Sequence, residues 1–341
     1  MAGRTTVYNN IVTEEKLKQV NPKNIELMND FLDYLISLDR SKGTINGYEN
    51  DLKIFFVWNI DNNDNKYFVN LTKREITKFQ KYALEDWKWS TNRLSRVKSA
   101  LSSLSNFIEN IMDDEEPDFR PIIRKIENPV KTLRREKTVM TEEEVQLILD
   151  TLVEQKKYKA ACIFALATYS GARKSELLRF KVSYFSDENI MPDTSLYRTP
   201  EKIKTKGRGS SGKMLTKYIL LDFKKYFDLW MNERKENNTP DNEYLFCDLQ
   251  TGKTSTVSTI DYVAEIITKI LGRPYYFHST RHFLCSKLFR LGLPSDIIQE
   301  YFGWSSADML SIYNDNEVSD SFGKFFTVDG IKSSENTEIK Y

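Results

Sequence analysis

The stretch HSTRHFLCSKLFRLGLPSDIIQEYFGWSSADMLSIY, residues 278–313, contains both histidines of the chain together with an arginine, a tryptophan and a tyrosine at close spacing. It opens with His278, one of only two histidines in the chain, and both lie in this stretch. Arg281 follows three positions later, and Trp304 precedes Tyr313 by nine. Each residue alone has an ordinary explanation, such as a helix cap, a surface ion pair or a core ring. The cluster therefore has to be interpreted with the rest of the chain.

Length and composition indicate a two-domain protein. A chain of 341 residues is long enough for two domains, each with a hydrophobic core. Lys+Arg 50 and Asp+Glu 49 nearly cancel, so bulk charge does not indicate a nucleic-acid-binding protein. The three cysteines have no metal-ligand spacing, which is typical of reduced thiols. No secretion signal and no run of about eighteen apolar residues is present, so we expect a cytoplasmic protein without membrane contact.

The N-terminal part predicts a small helical bundle. Residues 1–20 are polar with weak periodicity, and we expect a loosely ordered arm there. Residues 21–112 carry apolar side chains at helical spacing in four segments. One of these segments opens with Thr72 and Glu75, a capping-box pair. The acidic and proline-containing residues 113–138 are typical of a linker.

A basic face is predicted on this bundle between Leu71 and Lys98, where eight basic residues accompany three acidic ones. A solvated helix surface would have the same composition, so this face indicates DNA only if another part of the chain does. Contacts from lysine and arginine to phosphates dominate the affinity of proteins for DNA. If another part of the chain does indicate DNA, the DNA-contact residues on this face would be Lys73, Arg74, Lys78, Arg93 and Arg96.

A second domain is predicted over residues 139–317. The nearly all-apolar segment from Ala160 to Tyr169 predicts a buried helix that stops at Gly171. Arg173 follows directly and is therefore held near the core, where an unpaired charge is costly. It should have a carboxylate or phosphate partner, and Glu176 is one candidate.

Residues 198–217 contain seven basic residues, one acidic residue and three glycines, and an apolar strand follows. The pattern predicts an antiparallel hairpin with a basic tip. An exposed, solvated loop explains the composition equally well.

These residue types suit chemistry at a phosphodiester. Two arginines can clamp its non-bridging oxygens, and a histidine can donate a hydrogen bond or carry a proton. A tryptophan indole is a donor that does not titrate. A tyrosine nucleophile, with its usual pKa of about 10, needs nearby cations or a base to ionise. No carboxylate cluster is evident, so we expect neither a metal nor another cofactor.

Four motifs and a tyrosine carry a resemblance to a known family. They are GARKSEL at 171–177, KTKGRG at 204–209, HSTRH at 278–282, FGWSS at 302–306, and Tyr313. In this order and at these spacings, the chain resembles the tyrosine site-specific recombinases, the phage integrase family that includes the Xer and Cre types. Residues 21–112 resemble the core-binding domain of that family.

The resemblance implies a mainly α fold, in which a helical core-binding bundle and a mostly helical catalytic domain with a small antiparallel sheet close around double-stranded DNA. It implies that Arg173 and Arg281 grip the scissile phosphate and that His278 assists proton transfer. Tyr313 would attack the phosphorus, form a 3′-phosphotyrosyl link and release a 5′-hydroxyl. Because that link stores the bond energy, neither ATP nor a metal is implied.

The remaining implied roles are less direct. Trp304 takes the position that a second histidine usually holds in the family, and Glu176 has a supporting role. Lys206 is our choice for the catalytic lysine, with Lys204 as the alternative and Lys213 third. Lys204 and Arg208 on the hairpin would also contact DNA.

The resemblance further implies a homo-tetramer on two DNA sites, with residues 318–341 as a tail that docks on a neighbouring protomer. Accessory proteins could set the direction of integration, excision or resolution. Two other functions stay open: a related type IB topoisomerase or telomere resolvase, and a DNA-binding protein that does not cut. The complete residue set argues against the second of these.

Overall fold

The computed structural model describes residues 4–130, 140–205 and 212–304, together with 326–327 and 330–331. Lys206, Arg208 and Tyr313 lie outside the described residues, as does most of the predicted docking tail. The chain divides near residue 136 into two compact units, each with its own hydrophobic core.

The described part of the first unit is helical, with only short 3-10 turns besides. Its helices are α1 (Arg4–Ile11), α2 (Glu14–Gln19), α3 (Pro22–Ser37), α4 (Lys42–Asn62), α5 (Lys73–Glu85) and α6 (Thr91–Ile111). The four helices predicted within residues 21–112 are confirmed as α3 to α6. The capping box of α5 is also present, since the Thr72 amide donates to Glu75 Oε2 at 2.8 Å and the Glu75 amide donates to Thr72 Oγ1 at 3.3 Å.

The prediction of a loosely ordered arm is wrong for residues 4–20. Thr13 caps α2 by accepting a hydrogen bond from the Lys16 amide at 3.3 Å. Val12 and Val20 are buried in the bundle core, and both short helices pack against α4. Their apolar residues are too few to give a clear helical period, yet they bury enough surface to hold the segment on the bundle.

Part of the predicted linker also belongs to the first unit. Ile123 is buried in the bundle core next to α6. Lys98 donates from Nζ to the carbonyl oxygens of Ile126 at 2.7 Å and Glu127 at 3.0 Å. Lys98 is therefore buried beneath this segment and does not belong to the solvated basic face.

The second unit surrounds the buried helix that the apolar run at 160–169 predicts. Its helices are α7 (Glu142–Glu154), α8 (Tyr158–Ser170), α9 (Lys174–Leu177), α10 (Lys224–Glu236), α11 (Val257–Leu271), α12 (His278–Arg290) and α13 (Ser295–Phe302). Helix α8 lies at the centre of the core, packed against α7, α10 and α12.

Small antiparallel pairs complete the second unit. Its strands are β1 (Leu196–Arg198), β2 (Ile203–Thr205), β3 (Lys213–Leu215), β4 (Tyr218–Leu220), β5 (Phe326–Thr327) and β6 (Gly330–Ile331). β2 pairs with β3, which confirms the predicted hairpin, and β1 pairs with β4. The mainly α fold with a small antiparallel sheet is thus confirmed.

Among the described helices, none combines the length and apolar character that a bilayer crossing requires. In the same part of the chain, His, Cys, Asp and Glu side chains form no group of three or more that could hold a metal ion.

Candidate active site

Arg173 is fixed by the way the chain leaves α8. Helix α8 ends at Gly171 in the left-handed conformation, with φ of 58°, and Arg173 then caps the short helix α9. The Arg173 amide donates to Glu176 Oε2 at 3.1 Å, and its NH1 donates to Glu176 Oε1 at 3.0 Å. Glu176 is fully buried, whereas the Arg173 side chain remains 30% exposed. The predicted partnership is confirmed, and the arginine can still contact a ligand.

Lys217 is the residue of this site that sequence reasoning missed. Its Nζ donates to Glu176 Oε2 at 2.7 Å, and its side chain is only 2% exposed. Burial by itself would raise the pKa of Glu176, but the Lys217 ammonium and the Arg173 contacts outweigh it and lower that pKa below 4.5. In the sequence, Lys217 counted as one more cation of the basic hairpin. The available signal was its position directly before the buried strand β4.

Arg281 is buried on α12 and joins two distant segments. Its NH1 donates to the Gly171 carbonyl at 2.7 Å, across 110 residues of sequence, and its NH2 donates to the Phe302 carbonyl at 3.1 Å. The guanidinium also lies over the rings of Phe302, at 4.6 Å, and Trp304, at 5.1 Å. These contacts fix the plane of the group at the end of α8, close to where Arg173 begins α9.

Trp304 is held by the same assembly. Its ring stacks on Phe302 with centroids 4.8 Å apart and an interplanar angle of 19°. A Cβ added to Gly171 would come within 2.3 Å of Phe302 Cε1. Glycine at 171 thus provides both the positive φ and the space that lets this ring pack against the end of α8.

His278 is the first residue of α12, one turn before Arg281, and is exposed. Partial desolvation first, and then the positive charges of Arg281 and Arg173, lower the pKa of His278 below 6.5. The two arginines and the histidine therefore share one electrostatic environment. A neutral imidazole there can accept a proton or donate its ring N–H.

The described residues of the hairpin bring one lysine towards Trp304. Lys213 Nζ donates to the Gly303 carbonyl at 3.3 Å. Lys204 has an exposed side chain, and its carbonyl accepts a hydrogen bond from Arg179 NH1 at 2.6 Å. Because Lys206 lies outside the described residues, the choice between Lys206 and Lys204 as the catalytic lysine stays a prediction.

The basic face of the first unit divides into two groups. Lys73, Arg74 and Lys78 are exposed on α5, and Lys78 Nζ donates to the Asn62 carbonyl at 2.5 Å. They remain accessible to a phosphate backbone.

The two arginines of this face on α6 make internal contacts instead. Arg93 lies over the Trp89 ring at 4.3 Å. Arg96 forms an ion pair through Nε with Asp51 Oδ2 at 3.0 Å, and its NH2 donates to the Gly47 carbonyl at 3.2 Å. Arg96 is thus partly committed to holding α4 and α6 together.

The second unit, hereafter the catalytic unit, brings together Arg173, Arg281 and His278, side chains that suit a class of enzyme acting on a phosphodiester. Comparison with known families identifies that class, because the phage integrase family pattern matches residues 138–319, more than half of the chain. The chain belongs to the phage integrase family and is a tyrosine site-specific recombinase, an enzyme that cleaves and rejoins DNA.

The chain is also similar in sequence and in fold to known proteins. The SPbeta prophage-derived recombinase-like protein YomM of Bacillus subtilis (strain 168) is 28% identical over 278 residues, covering 79% of this chain and 80% of that protein. The fold is similar to the XerH site-specific recombinase bound to a palindromic difH substrate, with TM-score 0.62, 18% identity and coverage of 82% and 79%. It is also similar to a lambda integrase tetramer bound to a Holliday junction, with TM-score 0.61, 14% identity and coverage of 92% and 80%.

Proposed function

We propose that this recombinase cleaves DNA by attack of the Tyr313 hydroxyl on the scissile phosphate. The Tyr313 hydroxyl gives up its proton to a base, for which His278 is the candidate, and a P–O bond forms between Tyr313 and the 3′ phosphate. The bond to the 5′ oxygen breaks, and that oxygen leaves as a hydroxyl after gaining a proton. Attack by a 5′-hydroxyl from a partner strand reverses these steps, restores the tyrosine and rejoins the DNA. The observation that carries the proposal is the convergence of Arg173, Arg281 and His278 at the end of α8.

The roles of the side chains follow from their chemistry. Arg173 and Arg281 hold the non-bridging oxygens, where preorganised cations stabilise the charge that develops in the transition state. His278, with its pKa below 6.5, accepts a proton or donates a hydrogen bond at the phosphate. Trp304 orients the scissile phosphate by a hydrogen bond, and Lys206 protonates the departing 5′ oxygen.

The DNA partner and the assembly are part of the same proposal. Lys73, Arg74 and Lys78 would contact the phosphate backbone, together with Lys204 and Arg208 of the hairpin. We propose a homo-tetramer on two DNA sites, which the lambda integrase tetramer on a Holliday junction supports as a precedent within this fold. The tail from residue 318 would dock on a neighbouring protomer.

Trapping the covalent intermediate tests the proposal. Duplexes from either side of the protein's own gene, each with nicks that release the cleaved end, are incubated with the full chain, and the adducts are isolated and sequenced. We expect adducts at one short repeated sequence and exchange between two copies of it. Relaxation of any supercoiled plasmid regardless of sequence would instead indicate a topoisomerase, an alternative that the comparisons do not favour.

A further inference from the structure

Lys217 is a buried cation to which the proposed chemistry assigns no role. It lies between β3 and β4, where its backbone is fixed in both directions by Thr199. The Lys217 amide donates to Thr199 Oγ1 at 3.0 Å, and its carbonyl accepts from the Thr199 amide at 2.9 Å. From this fixed point the side chain extends inward to Glu176. The ammonium group is therefore placed by the strand pairing and does not adjust freely to its partner.

Two cations share the single carboxylate of Glu176. Oε2 accepts from Lys217 Nζ at 2.7 Å and from the Arg173 amide at 3.1 Å, while Oε1 accepts from Arg173 NH1 at 3.0 Å. Because Glu176 is fully buried, its oxygens rely on protein donors. Without Lys217, both oxygens could turn to the Arg173 guanidinium, and such bidentate pairs are the strong form of this contact.

We propose that Lys217 is a positioning residue for strand cleavage: by occupying Glu176 Oε2, it limits the carboxylate to one contact with the Arg173 guanidinium and leaves the other N–H groups of that arginine for the scissile phosphate. Since Lys217 lies two residues after β3, it also ties the base of the hairpin to the same arginine. The inference rests on the proposed function, because it concerns the phosphate contact of Arg173.

Fold stability alone does not account for this arrangement. A buried ion pair contributes little compared with well-packed apolar residues of the same volume, because both charges lose their hydration. Burial also lowers the pKa of Lys217, which reflects that penalty, although Glu176 opposes the shift. A lysine at this position therefore indicates a requirement for the charge.

A double-mutant cycle tests the inference. The full-length Lys217→Met, Glu176→Gln and double variants are compared with the wild type on the nicked duplex recovered by trapping, at saturating protein and well below the melting transition. We expect Lys217→Met to slow adduct formation about 10²-fold, the scale of a small misplacement of a catalytic group, with unchanged DNA affinity. In the Glu176→Gln background, Lys217→Met should have little further effect, because its influence passes through that carboxylate.

Matched controls separate positioning from general damage. Lys224→Met removes a lysine from an exposed pair with Asp228 in the same unit and should cleave like the wild type. Equal losses from Lys217→Met in both backgrounds would overturn the inference, as would a loss that merely follows the folded fraction measured by circular dichroism.

A crystal structure of Lys217→Met gives a second reading that does not depend on cleavage. We expect the Arg173 guanidinium to turn inward and contact both Glu176 oxygens. An unmoved guanidinium that keeps only its NH1 contact would overturn the inference. If the wild type forms no adduct on any duplex, the strand-transfer proposal fails, and this geometry still decides the role of Lys217 in placing Arg173.

Discussion

The two units use the same residue types in opposite ways. In the catalytic unit, Arg281 is 1% exposed and is held by two carbonyl oxygens and two aromatic rings. On the basic face of the first unit, Lys73 and Arg74 are exposed. A fixed cation stabilises a transition state without reorganising, whereas an exposed cation adds affinity by releasing counterions from DNA. We therefore expect the fixed cations to serve the chemistry and the exposed cations to serve attachment to DNA.

Replacement of Arg281 should give the largest effect. Arg281→Ala removes the clamp and also leaves the Gly171 and Phe302 carbonyls without their donor. We expect adduct formation to fall by at least about 10²-fold, with a lower melting temperature. Arg290→Ala, at the exposed end of the same helix, is the control and should retain cleavage. Near-normal cleavage by Arg281→Ala would remove it from the site.

The close packing behind Arg281 can be tested with two glycines. Gly171→Ala combines a positive φ with a contact at 2.3 Å to Phe302, and we expect it to destabilise the catalytic unit by about 2–4 kcal/mol. Gly272 has a similar φ but no atom within 4 Å of an added Cβ, so Gly272→Ala should cost about 1 kcal/mol. Urea unfolding followed by a probe in that unit measures both values. Equal losses would show that the Phe302 contact is unimportant.

The low pKa of His278 predicts a pH dependence. Once the pH falls below the folded-state pKa of His278, which is lower than 6.5, its protonation should reduce the second-order rate of adduct formation about tenfold per pH unit. The same shift lowers folding stability as pH falls from 6.5 to the folded-state pKa, because the unfolded chain then binds more protons. His278→Gln should remove this part of the pH profile. If the pH profile of His278→Gln is unchanged, the pH dependence belongs to another titrating group.

The basic face should give the smallest and most salt-dependent effects. Lys73→Ala and Arg74→Ala should each reduce the slope of log affinity against log salt concentration by about 0.9, measured by fluorescence anisotropy. The cleavage rate of the bound duplex should stay the same. A slower cleavage rate at saturation would contradict the division between attachment and chemistry.

Arg96 is an intermediate case, because it lies on the basic face yet forms an ion pair with the buried Asp51. Arg96→Ala should lower the melting temperature of the first unit more than Lys73→Ala does, with a smaller change in the salt slope. If Arg96→Ala has the smaller effect on the melting temperature and the larger effect on the salt slope, Arg96 belongs with the exposed residues Lys73 and Arg74.

Much of the fold could be predicted where local signals are strong. Helical periodicity and the Thr72 capping box defined α5, and the apolar run before Gly171 defined α8. The partnership of Arg173 and Glu176 also followed from local reasoning, since an arginine directly after a buried helix needs a nearby carboxylate. These features depend on residues that are close in sequence.

The features that the sequence did not predict depend on contacts between residues that are distant in the chain. Lys217 and Lys98 lie in basic segments, and composition does not distinguish a buried lysine from its exposed neighbours. The acceptors of Lys98 come from a segment that its prolines marked as a linker. The arm helices α1 and α2 are too short for a clear period and depend on α4 for their burial.

The proposed mechanism depends above all on which residue becomes linked to DNA. The trapped adduct is digested with trypsin and nuclease, and mass spectrometry locates the nucleotide-bearing tyrosine in the wild type and in Tyr313→Phe. We expect a 3′-phosphotyrosyl link on Tyr313 and no adduct in the variant, with DNA binding retained. A link on another residue, such as the exposed Tyr276 two positions before His278, or an adduct that survives Tyr313→Phe, would contradict it.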